Sequence, residues 1–550
     1  ASNNQRCHTR TVAAGLVLLI VGSIGLVAYN PVLRWQVLQH IALRNGTLAY
    51  SQFISPKVPV RIQFYAFDLQ NPIEVINGDR PFVVQRGPFT YAEVRRKEDV
   101  SCDELRDWLT YKQNRTYLFL RNESIADDSW RFTTANLPLV TILNSLRFMP
   151  QALQRFASAA LAAFPNETLF PRLSVRDVAF GYHDKLLRLA HEVIPGMVYT
   201  DFIGVLAGLN NTYDGVYTIS AGLRDPQHLG EIQAFNGSRS LHFWSSELAN
   251  LVIGSDGSLA PPFLNKSALL PAFISDICRS LYGVFDSEVD AAGGLLRLWR
   301  FTGPDRLLAN ASENPDNAGY CTPAGNCLPA GLFNLTECKR LNGLHIPVVA
   351  SLPHFLLAAP EIQASVRGLY PDDRAHRTYV DIEPLSGAVL QLYKRLQINL
   401  QLDAGPAYAA FAPNLRSQFY PMLWINESAV VDVDTASQLR DLLLTPQLVA
   451  KIAIGVAMGL GSLVTTVATF LLLLQRRRNA KTTQADSSPT SGAVENVVNG
   501  VGVSVVGDGS VNCAVTEAGS EVQDSDAVVR DVGEGDRTGL LAQEEPVATA

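Results

Sequence analysis

The residues from Ile452 to Leu474 form an apolar run without a single charge, and they constrain this chain more than any other stretch. At about 1.5 Å of rise per residue, a helix of that length crosses a hydrocarbon core of about 30 Å with some tilt. Gln475-Arg476-Arg477-Arg478 follows at once, and a basic cluster at a membrane edge marks the cytosolic side. A second uncharged run, Thr11 to Tyr29, is flanked by Arg6, His8 and Arg10, which places its N-terminal end in the cytosol too. It is longer than the apolar part of a cleaved signal peptide, and Tyr29-Asn30-Pro31 follows it, so it reads as a retained anchor. Residues 1–10 and 475–550 are therefore expected in the cytosol, 11–29 and 448–474 in the bilayer, and 30–447 on the far side as one glycosylated domain.

The Asn-x-Ser/Thr sites agree with this topology. They begin at Asn45, Asn114, Asn122, Asn166, Asn210, Asn236, Asn265, Asn310, Asn334 and Asn426, all between the two runs. Glycan transfer acts on the lumenal side only, so this segregation is what the topology requires. Cys278, Cys321, Cys327 and Cys338 share that region, where an oxidising compartment permits disulfides, and four cysteines allow three pairings. Cys102 is left over and reads as a buried thiol. Cys7, beside the first run, suits reversible palmitoylation as well as it suits an unmodified thiol. A net charge of −7 gives no reason to expect a nucleic-acid partner.

Helical spacing covers Arg34 to Leu48, and alternation then predicts a strand over Val60–Leu69. Further strands are expected over Pro81–Tyr91, Thr116–Arg121, Trp130–Thr134, Leu241–Trp244, Leu295–Phe301, Tyr379–Pro384 and Ala388–Leu400. Between Leu137 and Glu192 the pattern turns helical. Leu139, Ile142, Leu143 and Leu146 are followed by Phe148, Met149, Leu153, Phe156, Leu161 and Phe164, with little charge beyond Arg147 and Arg155. Val175 to His191 reads as a further amphipathic helix. These helices are either a packed pair or a surface that meets a lipid or protein partner. No repeat and no linker divides residues 30–447, so the region is expected to be one large α+β domain with a mainly antiparallel sheet.

Several segments together resemble the class B scavenger receptor family. They are Gln85-Arg86-Gly87-Pro88-Phe89-Thr90-Tyr91, Gly181-Tyr182-His183-Asp184, Ile274 to Ser280, Glu313-Asn314-Pro315-Asp316-Asn317, Ser351-Leu352-Pro353-His354-Phe355, His376 to Pro384 and Lys394 to Leu400. The resemblance implies a β-barrel-like ectodomain with an apolar tunnel, capped by an apical helical bundle at about residues 137–192. It implies ligand capture at that apex, with Phe148, Met149, Leu153, Phe156, Leu161 and Phe164 as the expected contact set. It also implies pairing of Cys278 with Cys338 and of Cys321 with Cys327. Two departures matter: no histidine lies between Asn136 and Tyr182, and Phe164 to Arg172 offers only Arg172 for anionic ligands.

No His-Glu-x-x-His, Gly-x-Ser-x-Gly or Gly-rich loop ending in Lys-Ser/Thr is present, so no enzyme, metal or cofactor is expected. Gly254-Ser255-Asp256-Gly257-Ser258 reads as a turn, and His354 as a satisfied structural histidine. Gly455 and Gly459 form a Gly-x-x-x-Gly that would suit packing against the first run or a second copy. After Arg478 the tail is acidic and reads as disordered. Near its end Asp536 stands four residues before Leu540-Leu541, the pattern clathrin adaptors read and one the lysosomal member of the family also carries. The expectation is a receptor that binds lipids or lipid-carrying particles and passes sterol, phospholipid or fatty acid down the tunnel, on lysosomal and endosomal membranes or at the plasma membrane. The alternative is a sorting receptor for a lumenal protein such as a hydrolase. A two-span ectonucleotidase or trimeric channel lacks its motifs here.

Overall fold

The computed structural model describes residues 3–164, 167–193, 200–341 and 344–485. Contacts divide the chain into two units, residues 21–457 and the terminal residues 1–20 with 458–550. Helix α1 spans Asn3–Ile41. Two stretches, Arg6–Ile41 within α1 and Val433–Lys481 covering most of the last helix, are long and apolar enough to cross a membrane, with mean hydropathies of 2.4 and 2.0. Helix α1 runs on through Pro31, so the separate helix expected after Arg34 is its continuation. A helix in an apolar setting tolerates the one amide lost at proline.

The larger unit is built on a sheet of 13 strands. In chain order the first five are β1 (Val60–Leu69), β2 (Val83–Asp103), β3 (Trp108–Phe119), β4 (Val216–Ser220) and β5 (Ile232–Phe235). Next come β6 (Leu270–Ile274), β7 (Arg279–Ala291), β8 (Leu296–Thr302), β9 (Leu332–Asn334) and β10 (Val348–Ser351). The last three are β11 (Tyr379–Ile382), β12 (Val389–Leu402) and β13 (Gln418–Val430). Neighbours run β6-β7-β8-β11-β12-β13-β1-β2-β3-β4-β5, with β10 joining β9 to β12. Every ladder between these strands is antiparallel. The two outermost strands meet the same loop: Ile232 N donates to Gly254 O, Ser255 N to Pro271 O, and Phe273 N to Ser255 O.

Helices α2 (Leu137–Leu146), α3 (Gln151–Ala162), α4 (Val175–Phe180) and α5 (Lys185–Val193) fill the expected helical stretch. Asn136 starts α2 by accepting the Leu139 amide at 3.1 Å, as an N-cap should. Ser174 and Asp177 form a capping box on α4. The single helix expected over Val175–His191 is broken between α4 and α5. Gly181 takes a φ of 110°, Tyr182–His183 pairs as a short strand with Phe202–Ile203, and the Asp184 carboxylate caps α5. Leu241–Trp244 is not a strand. Its backbone folds around Asn250, whose Oδ1 accepts the amides of Phe243 and Trp244, and His242 has a φ of 65°. Arg131–Thr133 pairs only with Arg172–Ser174, outside the main sheet.

The main core gathers Phe64 and Phe67 of β1, Phe89 and Tyr91 of β2, Leu400 of β12, Tyr420 of β13 and the buried side of α2. Full burial of an aliphatic or aromatic side chain of this kind contributes about 1.5–3 kcal/mol. Helix α6 spans Thr445–Ala485 and closes the described chain. In the terminal unit Gly15 of α1 and Gly461 of α6 mark a close crossing. A Cβ on Gly15 would lie 2.4 Å from Thr465 Oγ1, and one on Gly461 would lie 2.9 Å from the Leu19 amide. Gly455 and Gly459, the pair singled out in the sequence, have open space beside them instead.

Candidate functional site

Strands alternate the side they present, so an inward charge on a central strand needs a partner or it costs several kcal/mol. The sheet places several such charges together. Lys394 of β12 stands directly opposite Glu427 of β13, and Arg95 of β2 directly opposite Arg115 of β3. Lys394 Nζ lies 2.5 Å from Glu427 and 2.6 Å from Asp276, in the turn before β7. Arg95 binds Glu93 through two bonds of 3.0 Å and also pairs with Glu427. Arg115 pairs with Asp214 at 3.1 Å, and Ser275 and Tyr217 donate to the same carboxylate. The like charges of Arg95 and Arg115 are thus separated by carboxylates. Burial alone would raise the Glu427 and Asp276 carboxyls, but the neighbouring cations, Lys394 first, hold both below the usual range. Those carboxylates in turn hold the Lys394 ammonium above its ordinary value.

This network forms one end of a cavity of about 310 Å³. The remaining wall is mostly aliphatic, with Ile62 of β1, Leu396 and Ile398 of β12, Met422 and Ile425 of β13, Leu137 of α2, and Ile203, Val205 and Leu206, and it also includes Tyr117 of β3. Glu93, Arg115, Asp276, Lys339, Lys394 and Glu427 line the charged end. The cavity can hold a small amphiphile in an apolar sleeve with one polar terminus. Sequence reasoning did not find this site. Its signal was present in inward-facing charges within strand runs, Lys394 above all, and in the polar run Asn426-Glu427 inside β13.

The expected apex residues divide. In α2, Leu139, Val140, Leu143 and Leu146 are buried, which settles that helix as core. Around α3 the apolar residues face out: Phe148 is 80% exposed and Phe156 72%, and Met149, Leu153 and Phe164 are exposed as well. Leu161 is half-buried against the core. Arg147 stacks on Phe148, and α3 carries no carboxylate.

Cys278 is joined to Cys338 and Cys321 to Cys327. Cys102 is exposed near the end of the β2–β3 hairpin and not buried as expected. His354 is buried and fully bonded: Nδ1 accepts the Tyr370 amide at 3.0 Å and Nε2 donates to Gln85 at 2.6 Å. Burial first, and then the stacked His376, push its pKa down to about 4. In the turn Gly254–Ser258, Asp256 accepts from Tyr111 at 2.9 Å. Of the sequons, Asn45, Asn122, Asn210, Asn236 and Asn265 are exposed, while Asn114, Asn310 and Asn334 are half-buried. Asn426 is only 8% exposed and donates to Gln63 from within β13. Asn166, Asp536, Leu540 and Leu541 lie outside the described residues, and Cys7 lies in α1. Among the described residues no cluster of three His, Cys, Asp or Glu side chains is placed to hold a metal.

A family model described as the CD36 family matches residues 13–472. The chain is 33% identical over 464 residues to lysosome membrane protein 2 of Rattus norvegicus, covering 83% of this chain and 94% of that protein. It is 32% identical to the Homo sapiens protein of the same name, over the same shares of each. To scavenger receptor class B member 1 of Sus scrofa it is 27% identical, over 78% of this chain and 83% of that one.

Proposed function

The chain belongs to the CD36 family, and from that membership we propose that it is a membrane receptor that takes up lipid, or lipid-carrying particles, and passes the lipid through an apolar passage to the bilayer. The observation that carries this reading is the cavity of about 310 Å³ with aliphatic walls. Its size falls at the lower end of the range for small-molecule sites. The loop hydrogen-bonded to both outermost strands supports reading the sheet as a barrel around that cavity. Exposing an acyl chain to water costs about 0.8 kcal/mol per methylene, so a lined conduit removes a barrier on the order of 10 kcal/mol. No covalent chemistry is required.

The exposed Phe148, Leu153 and Phe156, with Arg147 and Arg155 beside them, serve in this reading as the surface that meets a lipid particle. Both ends of the chain lie in the cytosol, residues 30–447 outside it, and the glycans on that outer part. The test is exchange of radiolabelled sterol or phospholipid into vesicles with and without the protein. Faster exchange with the protein supports transport, and equal rates reject it.

A second reading, a sorting receptor for a lumenal protein on lysosomal and endosomal membranes, is favoured by the likeness to lysosome membrane protein 2 and by Asp536 with Leu540-Leu541. Clathrin adaptors would read that tail. Replacing Leu540 and Leu541 with alanine should shift the protein to the plasma membrane, and unchanged localisation would remove this reading of the tail.

A further inference from the structure

Not every cation around the cavity is committed to a carboxylate. Arg95 serves Glu93 and Glu427, Lys394 serves Asp276 and Glu427, and one Nη of Arg115 serves Asp214. Two donors are left over. Arg115 Nε is buried without a hydrogen-bond partner, 3.8 Å from the nearest Glu93 oxygen. Lys339 lines the cavity, and among the described residues its ammonium makes no hydrogen bond or ion pair. Three cations thus hold four carboxylates, and Lys339 completes the charge balance without touching any of them.

At Asp276 the neighbouring cations outweigh the carboxylates. Against the burial that opposes it, Asp276 is held well below the usual carboxylate range by Lys394, Arg115 and Lys339. An enclosed charged donor without an acceptor, as at Arg115 Nε, is costly, and a ligand oxygen that accepts from it recovers that cost, with the half-buried Lys339 as a second cation on the same lining. Apart from the Tyr117 hydroxyl, the other side chains that line the cavity offer no strong donor, so the cations set where such an oxygen binds.

We propose that Lys339 and Arg115 form an oxyanion subsite at the charged end of the cavity, which holds the carboxylate or phosphate of a single-chain amphiphile while its tail lies along Leu396, Ile398 and Ile425. This assignment rests on the lipid reading of the cavity and adds to it an orientation and a head-group preference. A cavity of about 310 Å³ lies at the small end of the range for ligand sites, which favours a single-chain ligand.

The test uses the full chain in detergent with diazirine analogues of oleate and of oleyl alcohol, and adducts mapped by mass spectrometry. Unlabelled oleate, oleoyl lysophosphatidate and oleyl alcohol serve as competitors. In Lys339→Met, which keeps length and removes charge, at least one oxyanion should compete about tenfold more weakly, with oleyl alcohol unchanged. Lys339→Arg should retain wild-type competition. Whichever oxyanion weakens identifies the head group. Equal competition by both oxyanions in wild type and Lys339→Met would overturn the subsite and leave the lipid reading standing. Absence of any cavity adduct in the wild type would overturn both.

Discussion

Replacing Glu427 with glutamine should destabilise the larger unit by about 3–5 kcal/mol, the usual cost of removing one partner from a buried ion pair. Glu427 is only 6% exposed, and it accepts from both Lys394 and Arg95. In the variant Lys394 keeps Asp276 and Arg95 keeps Glu93, but the two cations then face each other across an uncharged amide. The unit Val21–Ala457 unfolds with an entropy of about 0.9 kcal/mol/K if roughly 440 residues melt together at about 2.1 cal/mol/K each. The expected drop in Tm is therefore about 3–6 °C, read by differential scanning of the purified full chain at pH 7. The pH dependence carries a second signature. The folded-state pKa of Glu427 lies below its ordinary value of 4.5. Its contribution is therefore fully present above that value and lost as the pH falls further. The gap between wild type and variant should hold from pH 7 to pH 5 and narrow below about pH 4.5. A variant as stable as the wild type at pH 7, or a gap that closes between pH 7 and pH 5, would refute this account of the network.

The two neighbouring helices should respond in opposite ways. Leu143→Ala in α2 should cost about 2–5 kcal/mol by leaving a cavity, whereas Phe156→Asp on the outer side of α3 should change stability by less than about 0.5 kcal/mol while reducing binding to anionic lipid vesicles, as chemical denaturation and liposome flotation would show. His354 has a folded-state pKa of about 4, below its ordinary 6.5, so the unfolded chain takes up protons first and stability should fall as pH drops from 6.5 toward 4. His354→Gln should flatten that slope in Tm measurements across the interval, which lies mostly above the window where Glu427 acts. Glycopeptide mapping should find sugar on Asn45, Asn122, Asn210, Asn236 and Asn265 and none on Asn426, whose amide is already bound to Gln63 inside the sheet.

How much of this could be read from the residues differs from element to element. Both long apolar helices were legible because nothing else places so many uncharged residues in a row. Strand β1 was legible because Val60, Ile62 and Phe64 alternate with Arg61 and Gln63. Strand β13 was not, although it lies between β12 and β1 near the middle of the sheet. Its buried positions include Asn426 and Glu427 on opposite faces, which look like surface residues until Gln63 and Lys394 appear opposite them. The alternation rule fails where the buried side of a strand is charged, and Glu427, one of the two residues that hid the strand, lines the cavity's charged part. The contrast between α2 and α3 was hidden for another reason. Both have apolar residues at helical spacing, and periodicity reports that a side is apolar without reporting what covers it. The break at Gly181 was missed because the apolar positions on either side stay in phase across it.

The loop at Gly254 and Ser255 bears on how this molecule behaves among its own copies. A sheet that ends in bare strands offers rows of free amides and carbonyls to any passing chain, and two such molecules crowded on one membrane can stitch together through them. Here the outermost strands at both ends are already engaged by the same short loop. That route to aggregation is therefore blunted at these two strands when copies crowd on a surface.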